Sequence, residues 1–85
     1  MDENTIKSLR EALSLSPDNA PLRLHLAETL IHMNQLDEAE KEFQTILSKE
    51  DNAKAKFGLA RVYYSKEQYS TCNVILEELI DADDV

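Results

Sequence analysis

Apolar residues recur along the chain at intervals of three and four positions, in blocks that short polar stretches separate. This spacing places the apolar side chains on one face of an α-helix. Five blocks predict five helices. The first three cover residues 4–15, 20–33 and 36–47. The fourth runs from a cap at Asp51 or Asn52 to about Tyr64, and the fifth covers residues from about 69 to 80. Because the alternation expected of a half-buried strand is absent, the pattern indicates an all-α chain.

The residues between the blocks are types that end and start helices. Pro17 cannot continue the first helix, and Asn19 is placed to cap the second helix. Pro21 falls in the first turn of that helix, where proline is tolerated. Asn34 follows it, and asparagine accepts the left-handed backbone angles that often end a helix. The blocks are therefore predicted to be separate helices joined by tight turns.

The same order of small and large residues occurs twice, 33 positions apart, in residues 24–40 and 57–73. The matching positions are Leu26-Ala27 with Leu59-Ala60, Leu30 with Tyr63, Leu36 with Tyr69, and Ala39 with Cys72. A fixed period of this length is typical of solenoid proteins. Small residues at fixed positions let helices approach closely. We therefore expect the pattern to serve helix packing rather than chemistry.

This pattern resembles the tetratricopeptide repeat, a pair of antiparallel helices in which small and large residues hold set positions. The first unit supplies Leu26-Ala27, Leu30 and Ala39-x-x-x-Phe43, and the second supplies Leu59-Ala60, Tyr63 and Cys72-x-x-x-Leu76. The first helix is similar to the second half of such a unit. Arg23 and Lys56 depart from the bulky residue that opens the family motif, and we expect Leu24 and Phe57 to replace it in the packing.

The resemblance implies a right-handed α-α superhelix of antiparallel helix pairs, with five helices in a single domain over residues 1–85. The expected parts are a half-repeat helix at 4–16, repeat one at 20–52 and repeat two at 53–85. Members of this family generally bind proteins or peptides, often on the concave face that the first helix of each repeat lines. Carried over position by position, that face predicts a partner-binding surface of Glu28, Ile31, His32, Lys54, Phe57, Arg61 and Tyr64.

Ordinary packing between helices is the alternative interpretation of Leu24, Ile31 and Phe57. Arg61 and Tyr64 are the better candidates for contact with a partner, because arginine and aromatic side chains are typical binding anchors. The expected function is a non-catalytic interaction or scaffold module.

Composition and charge narrow the range of partners. The chain has 85 residues, of which 17 are acidic and 9 are basic, so its net charge is −8. This charge opposes nucleic-acid binding; it suits a basic partner, or it serves only solubility. No apolar run reaches the roughly 20 residues that span a bilayer. Because Met1-Asp2-Glu3 also lacks the basic start of a signal peptide, we expect a cytoplasmic protein that binds neither nucleic acid nor membrane.

Four side chains are candidates for chemistry, namely His25, His32, Glu28 and Cys72. His25 and His32 are separated by about 10.5 Å along a helix, too far to share one metal ion. Glu28 with one histidine falls short of the three or four protein ligands that zinc takes. Cys72 has no basic residue within a helical turn to activate its thiol. With no phosphate loop or nucleophile motif in the sequence, we predict neither catalysis nor a cofactor or metal.

The last helix carries more apolar residues than one preceding helix covers, namely Val74, Ile75, Leu79 and Ile80. Two explanations stay open. In the first explanation, the chain forms a homodimer through this helix. Alternatively, it is the N-terminal oligomerisation or regulatory segment of a larger protein, such as an AAA-type ATPase.

Overall fold

The computed structural model describes residues 3–83, and side chains within residues 3–79. The helices are α1 (Glu3–Leu15), α2 (Ala20–His32), α3 (Leu36–Lys49), α4 (Ala53–Ser65) and α5 (Tyr69–Asp83), and no strand occurs within this range. All five predicted helices are confirmed. Each packs against the next, and the short connections between them make consecutive helices run in opposite directions. The right-handed sense of the superhelix and the limits of the repeat units stay predictions.

Side chains of the predicted types close the starts of two helices. The Oδ1 atom of Asn19 accepts a hydrogen bond from the backbone N–H of Leu22 at 3.1 Å, and Pro21 lies in the first turn of α2. Asn52, rather than Asp51, caps α4, because its Oδ1 accepts from the N–H of Ala55 at 3.0 Å. Each bond satisfies a donor that a helix start leaves unpaired.

The turn after α2 and the turn after α4 have the same backbone geometry. Asn34 has φ 60° and Glu67, which lies 33 positions later, has φ 63°. In both turns, the residue after the left-handed one donates its N–H over 2.8 Å to a carbonyl near the end of the helix. The sequence predicted the first turn from its asparagine, but glutamate gives no such signal.

The predicted packing residues form the core. Leu26, Ala27 and Leu30 of α2 are completely buried, as are Ala39 and Phe43 of α3. The small residues of the second unit, Ala60 and Cys72, are buried too. The shared size pattern therefore does what close helix packing requires.

Phe43 on α3 packs directly over Gly58 on α4. A Cβ atom at Gly58 would lie 2.3 Å from the Phe43 ring. Only glycine leaves room for the ring in this position.

The two departures from the family motif have different outcomes. Arg23 extends to Glu42, whose Oε1 atom accepts a hydrogen bond from Arg23 Nη1 at 2.6 Å, and Arg10 adds a second contact at 3.4 Å. A charged junction of α1, α2 and α3 thus replaces the bulky apolar residue. Leu24 packs against the core, as expected. The expectation for Phe57 is wrong, because its side chain is 53% exposed.

Candidate partner-binding surface

Two neighbouring depressions lie along α2, α4 and α5. The first has a volume of about 340 Å³ and is lined by Ile31, Phe57, Ala60, Arg61, Tyr64, Ser65, Cys72 and Leu76. The second has a volume of about 440 Å³ and is lined by Leu24, Glu28, Ala53, Lys54, Phe57, Arg61 and Leu79. Because Phe57 and Arg61 line both, the depressions form one continuous groove, called the α4 groove below.

The α4 groove brings together six of the seven side chains that the sequence assigned to a partner surface. Ile31 and Tyr64 line the first depression, and Glu28 and Lys54 line the second. The seventh, His32, is exposed at the end of α2 and lines neither depression. A binding role for any of these residues stays a prediction.

Glu28 and Arg61 pair across the groove. Arg61 Nη1 donates to both carboxylate oxygens of Glu28, at 3.1 and 3.2 Å. The two residues hold the same position in successive units, so the pair links α2 to α4. Both side chains are more than a third exposed, and such a pair contributes less than about 1 kcal/mol to stability. The pair therefore gives the groove a polar centre without closing it.

Aromatic rings form the exposed apolar part of this surface. Phe57 and Tyr64 are 53% and 64% exposed. The ring of Tyr69, at the start of α5, meets the Tyr64 ring edge-on with centroids 5.3 Å apart. Sequence reasoning missed Tyr69, because its repeat counterpart Leu36 indicated a packing role. The available signal was that Tyr69 follows Tyr64 directly after the short turn between α4 and α5.

Three helix-five residues were also missed as groove residues, one of which is Leu79 in the second depression. Cys72 and Leu76 were assigned to the core, and both line the first depression. Cys72 is a buried free cysteine. In the part of the chain that the structure describes, no group of three or more His, Cys, Asp or Glu side chains could hold a metal ion.

A second polar cluster joins α3 to the end of α4. Lys66 Nζ donates to Asp37 at 2.7 Å and to Glu40 at 3.1 Å, and the Tyr63 hydroxyl donates to Glu40 at 2.8 Å. The hydrogen bond from Lys66, with its charge, lowers the pKa of Asp37 below its ordinary value. The hydrogen bonds to Asp37 and Glu40 raise the pKa of Lys66. Burial, with the bond to Glu40, raises the pKa of Tyr63.

Repeated helix pairs with small residues at the contacts, and a groove along the first helix of each pair, define an α-helical repeat protein. The sequence profile of the tetratricopeptide repeat family matches residues 3–53, which is more than half of the chain. The chain belongs to the tetratricopeptide repeat family. Repeats of this family generally mediate protein–protein interactions, and domains of this kind are typically non-catalytic.

A human protein, named Protein O-mannosyl-transferase TMTC1, is similar to most of the chain. The two are 36% identical over 66 residues, which is 78% of this chain and 8% of the human protein. The chain thus spans a small part of the length of this relative. No solved structure matches the chain. No helix within the described residues is long and apolar enough to cross a membrane.

Proposed function

We propose that this chain is a non-catalytic interaction module that binds a segment of a partner protein in the α4 groove. The observation that carries the proposal is the convergence of six predicted partner-binding residues on two depressions that share Phe57 and Arg61. The residues come from two helices, 33 positions apart in the repeat. Family membership supports the same role, since these repeats generally mediate protein–protein interactions.

The groove has the chemistry of a binding anchor site. Phe57 and Tyr64 expose aromatic surface, which a partner would remove from water. Arg61 donates to Glu28 through Nη1 alone, so its Nη2 has no acceptor among the described residues. Aromatic and arginine side chains of this kind supply most of the binding energy at many protein interfaces.

The charge of the chain favours a partner that is basic overall, because a net charge of −8 attracts it and speeds encounter. The same charge disfavours nucleic acid.

A second candidate function is a regulatory or oligomerisation segment within a longer protein. The match to only 8% of a longer human protein favours this candidate. In that case the surface around α5, where Val74 is 55% exposed, would contact another copy of the chain or another part of the same polypeptide.

Capture of partners from cytosol by the immobilised chain tests the proposal. The double variant Arg61→Glu with Tyr64→Ala removes two anchors, and we expect it to reduce capture of a partner about tenfold or more. The matched control is Lys7→Glu with Leu15→Ala, which makes a charge reversal and an aliphatic truncation at exposed positions on α1. The control should capture like the unchanged chain, and circular dichroism checks that both variants fold.

The proposal fails if the Arg61 and Tyr64 variant captures partners normally. If Val74→Asp abolishes association at the same time, the surface around α5 is the functional one, and the second candidate stands.

A further inference from the structure

We infer that the segment bound in the α4 groove is an amphipathic α-helix that packs across α4 and α5 as α4 packs across α2 and α3. This inference rests on the proposed interaction role and specifies the form and chemistry of the partner segment. It follows from the internal repeat, which contains the same packing site for a helix twice. This site, called the seat, is occupied by α4 in the first unit and is open in the second.

The open seat is the first depression. Ala60, Cys72 and Leu76 line it, and their counterparts 33 positions earlier are Ala27, Ala39 and Phe43. Phe43 is completely buried, whereas its counterpart Leu76 is only partly buried.

The element that packs against the counterpart seat is α4, which contacts both α2 and α3. In the next unit the depression remains where such a helix would lie. The shape that fits the seat is therefore already present in the molecule.

The exposure of matched side chains supports the same conclusion. Leu24 and Ile31 on α2 are half-buried against the core. Their counterparts Phe57 and Tyr64 on α4 are 53% and 64% exposed. A helix seated on α4 and α5 would cover Phe57 and Tyr64. Removing two aromatic rings from water gives this association its driving force.

The contacts that α4 makes indicate which residues the partner helix needs. Gly58 lies over the Phe43 ring, so the partner needs a small residue over Leu76, the counterpart of Phe43. Arg61 meets Glu28, its counterpart on α2. The partner residue in the same position would face Arg61, whose Nη2 has no acceptor among the described residues, so an acidic residue fits there.

Gly58 and Arg61 are three positions apart on one helix face. The partner helix is therefore expected to carry glycine or alanine followed by aspartate or glutamate three positions later.

On the α5 side of the seat, the partner helix needs no charged residue. Ser70 and Asn73 replace Asp37 and Glu40, the two carboxylates to which Lys66 donates. A basic residue at the end of the partner helix therefore has no matching carboxylate at these two positions. The acidic residue opposite Arg61 is the main electrostatic requirement.

The test uses a peptide of residues 53–66 as a probe, with the substitution Arg61→Glu in the peptide. A side-chain staple joins the peptide positions of Ala53 and Phe57, which are exposed in α4, and holds the peptide helical. We expect saturable binding to the unchanged full chain, with shifts of the backbone resonances of Ala60, Cys72 and Leu76.

The matched control is the same stapled peptide with arginine retained, which would place two like charges together. It should bind about fivefold more weakly, the size expected for a partly exposed charge pair. The chain variant Arg61→Glu should reverse this preference, since each peptide then meets the opposite charge.

Three results with the peptides would overturn the inference. The first is no binding of the stapled glutamate peptide, and the second is equal affinity for the two peptides. The third is equal binding of an unstapled peptide with Leu59→Pro, which cannot form the helix.

In each of these cases, normal capture of partners by the unchanged chain would leave the proposed function standing and reject only the helical partner. A dimer of the chain alone that the stapled peptide dissociates would make a second copy the occupant, and would also overturn the inference. Sedimentation equilibrium distinguishes that outcome.

Discussion

Phe43 is completely buried because the neighbouring helix has no side chain at Gly58. Glycine costs about 1 kcal/mol relative to alanine within a helix, so its presence in α4 opposes local stability. The ring of Phe43 fills the space that a Cβ would occupy. Gly58 thus has a low helix propensity, but it lets α3 and α4 approach each other closely.

The variant Gly58→Ala tests this balance. The added Cβ would lie 2.3 Å from the ring, so the overpacking should outweigh the gain in propensity and destabilise the chain by about 1–2 kcal/mol. Urea unfolding measures the difference. Phe43→Leu should relieve the clash, so that the double variant is more stable than the sum of the two single effects predicts. A stabilised Gly58→Ala chain would show that propensity governs the site.

The buried carboxylate of Glu42 illustrates what the sequence could not predict at this scale. Arg10 and Arg23 converge on it from α1 and α2, an arrangement that no sequence pattern indicated. Such a junction depends on how three helices pack, and no spacing within one helix indicates it. For the same reason, the sequence did not indicate the pairing of Glu28 with Arg61, although both residues were assigned to the partner surface.

At the scale of helices and turns, most of the structure could be predicted. Apolar spacing indicated all five helices, and side-chain caps indicated the starts of α2 and α4. The helix ends differ by up to three residues from the prediction, because terminal residues gain little from packing. The groove could be predicted in outline, since the repeat fixes which face α2 and α4 share. The exposure of Phe57 could not be predicted, because it depends on whether another helix covers α4.

The left-handed turn at Glu67 offers a stabilising change. A side chain with Cβ is strained at φ 63°, and asparagine tolerates this region better than glutamate. Glu67→Asn copies the residue of the equivalent first turn, and we expect it to stabilise the chain by about 0.5–1 kcal/mol. Chemical denaturation measures the gain. The reciprocal control, Asn34→Glu, should cost a similar amount, and unchanged stability in both variants would contradict the argument.

At the scale of the whole molecule, ion pairs between helices and turns link the units of the stack. Lys49 pairs with Asp18 in the turn before α2, and Lys66 pairs with Asp37 at the start of α3. A hydrogen bond from the lysine is the main cause that lowers the pKa of each aspartate in the folded chain. The folded chain therefore binds fewer protons than the unfolded chain in mild acid, and acid favours unfolding.

We expect the stabilisation from these pairs to be present above pH about 4, the ordinary aspartate pKa, and to be lost as pH falls through the lowered values. Asp18→Asn with Asp37→Asn should reduce the fall in melting temperature between pH 5 and pH 2, as thermal unfolding would measure. Glu11→Gln is the control, because Glu11 makes no ion pair among the described residues. An acid profile unchanged by the double substitution would contradict the argument.

The stacking of each helix on its neighbours also has a kinetic consequence. Apart from α2 with α4 and the side-chain contact of Arg10 on α1 with Glu42 on α3, helices within the described residues pack only against the next helix along the chain. Few long loops must close for such contacts to form, so the entropic barrier to folding is low and folding is expected to be fast. The same geometry makes unfolding graded, with α1 and α5 opening more readily than the helices between them. A partner helix on α4 and α5 would move α5 from the edge of the stack to its interior, and its amide hydrogens would then exchange more slowly with solvent.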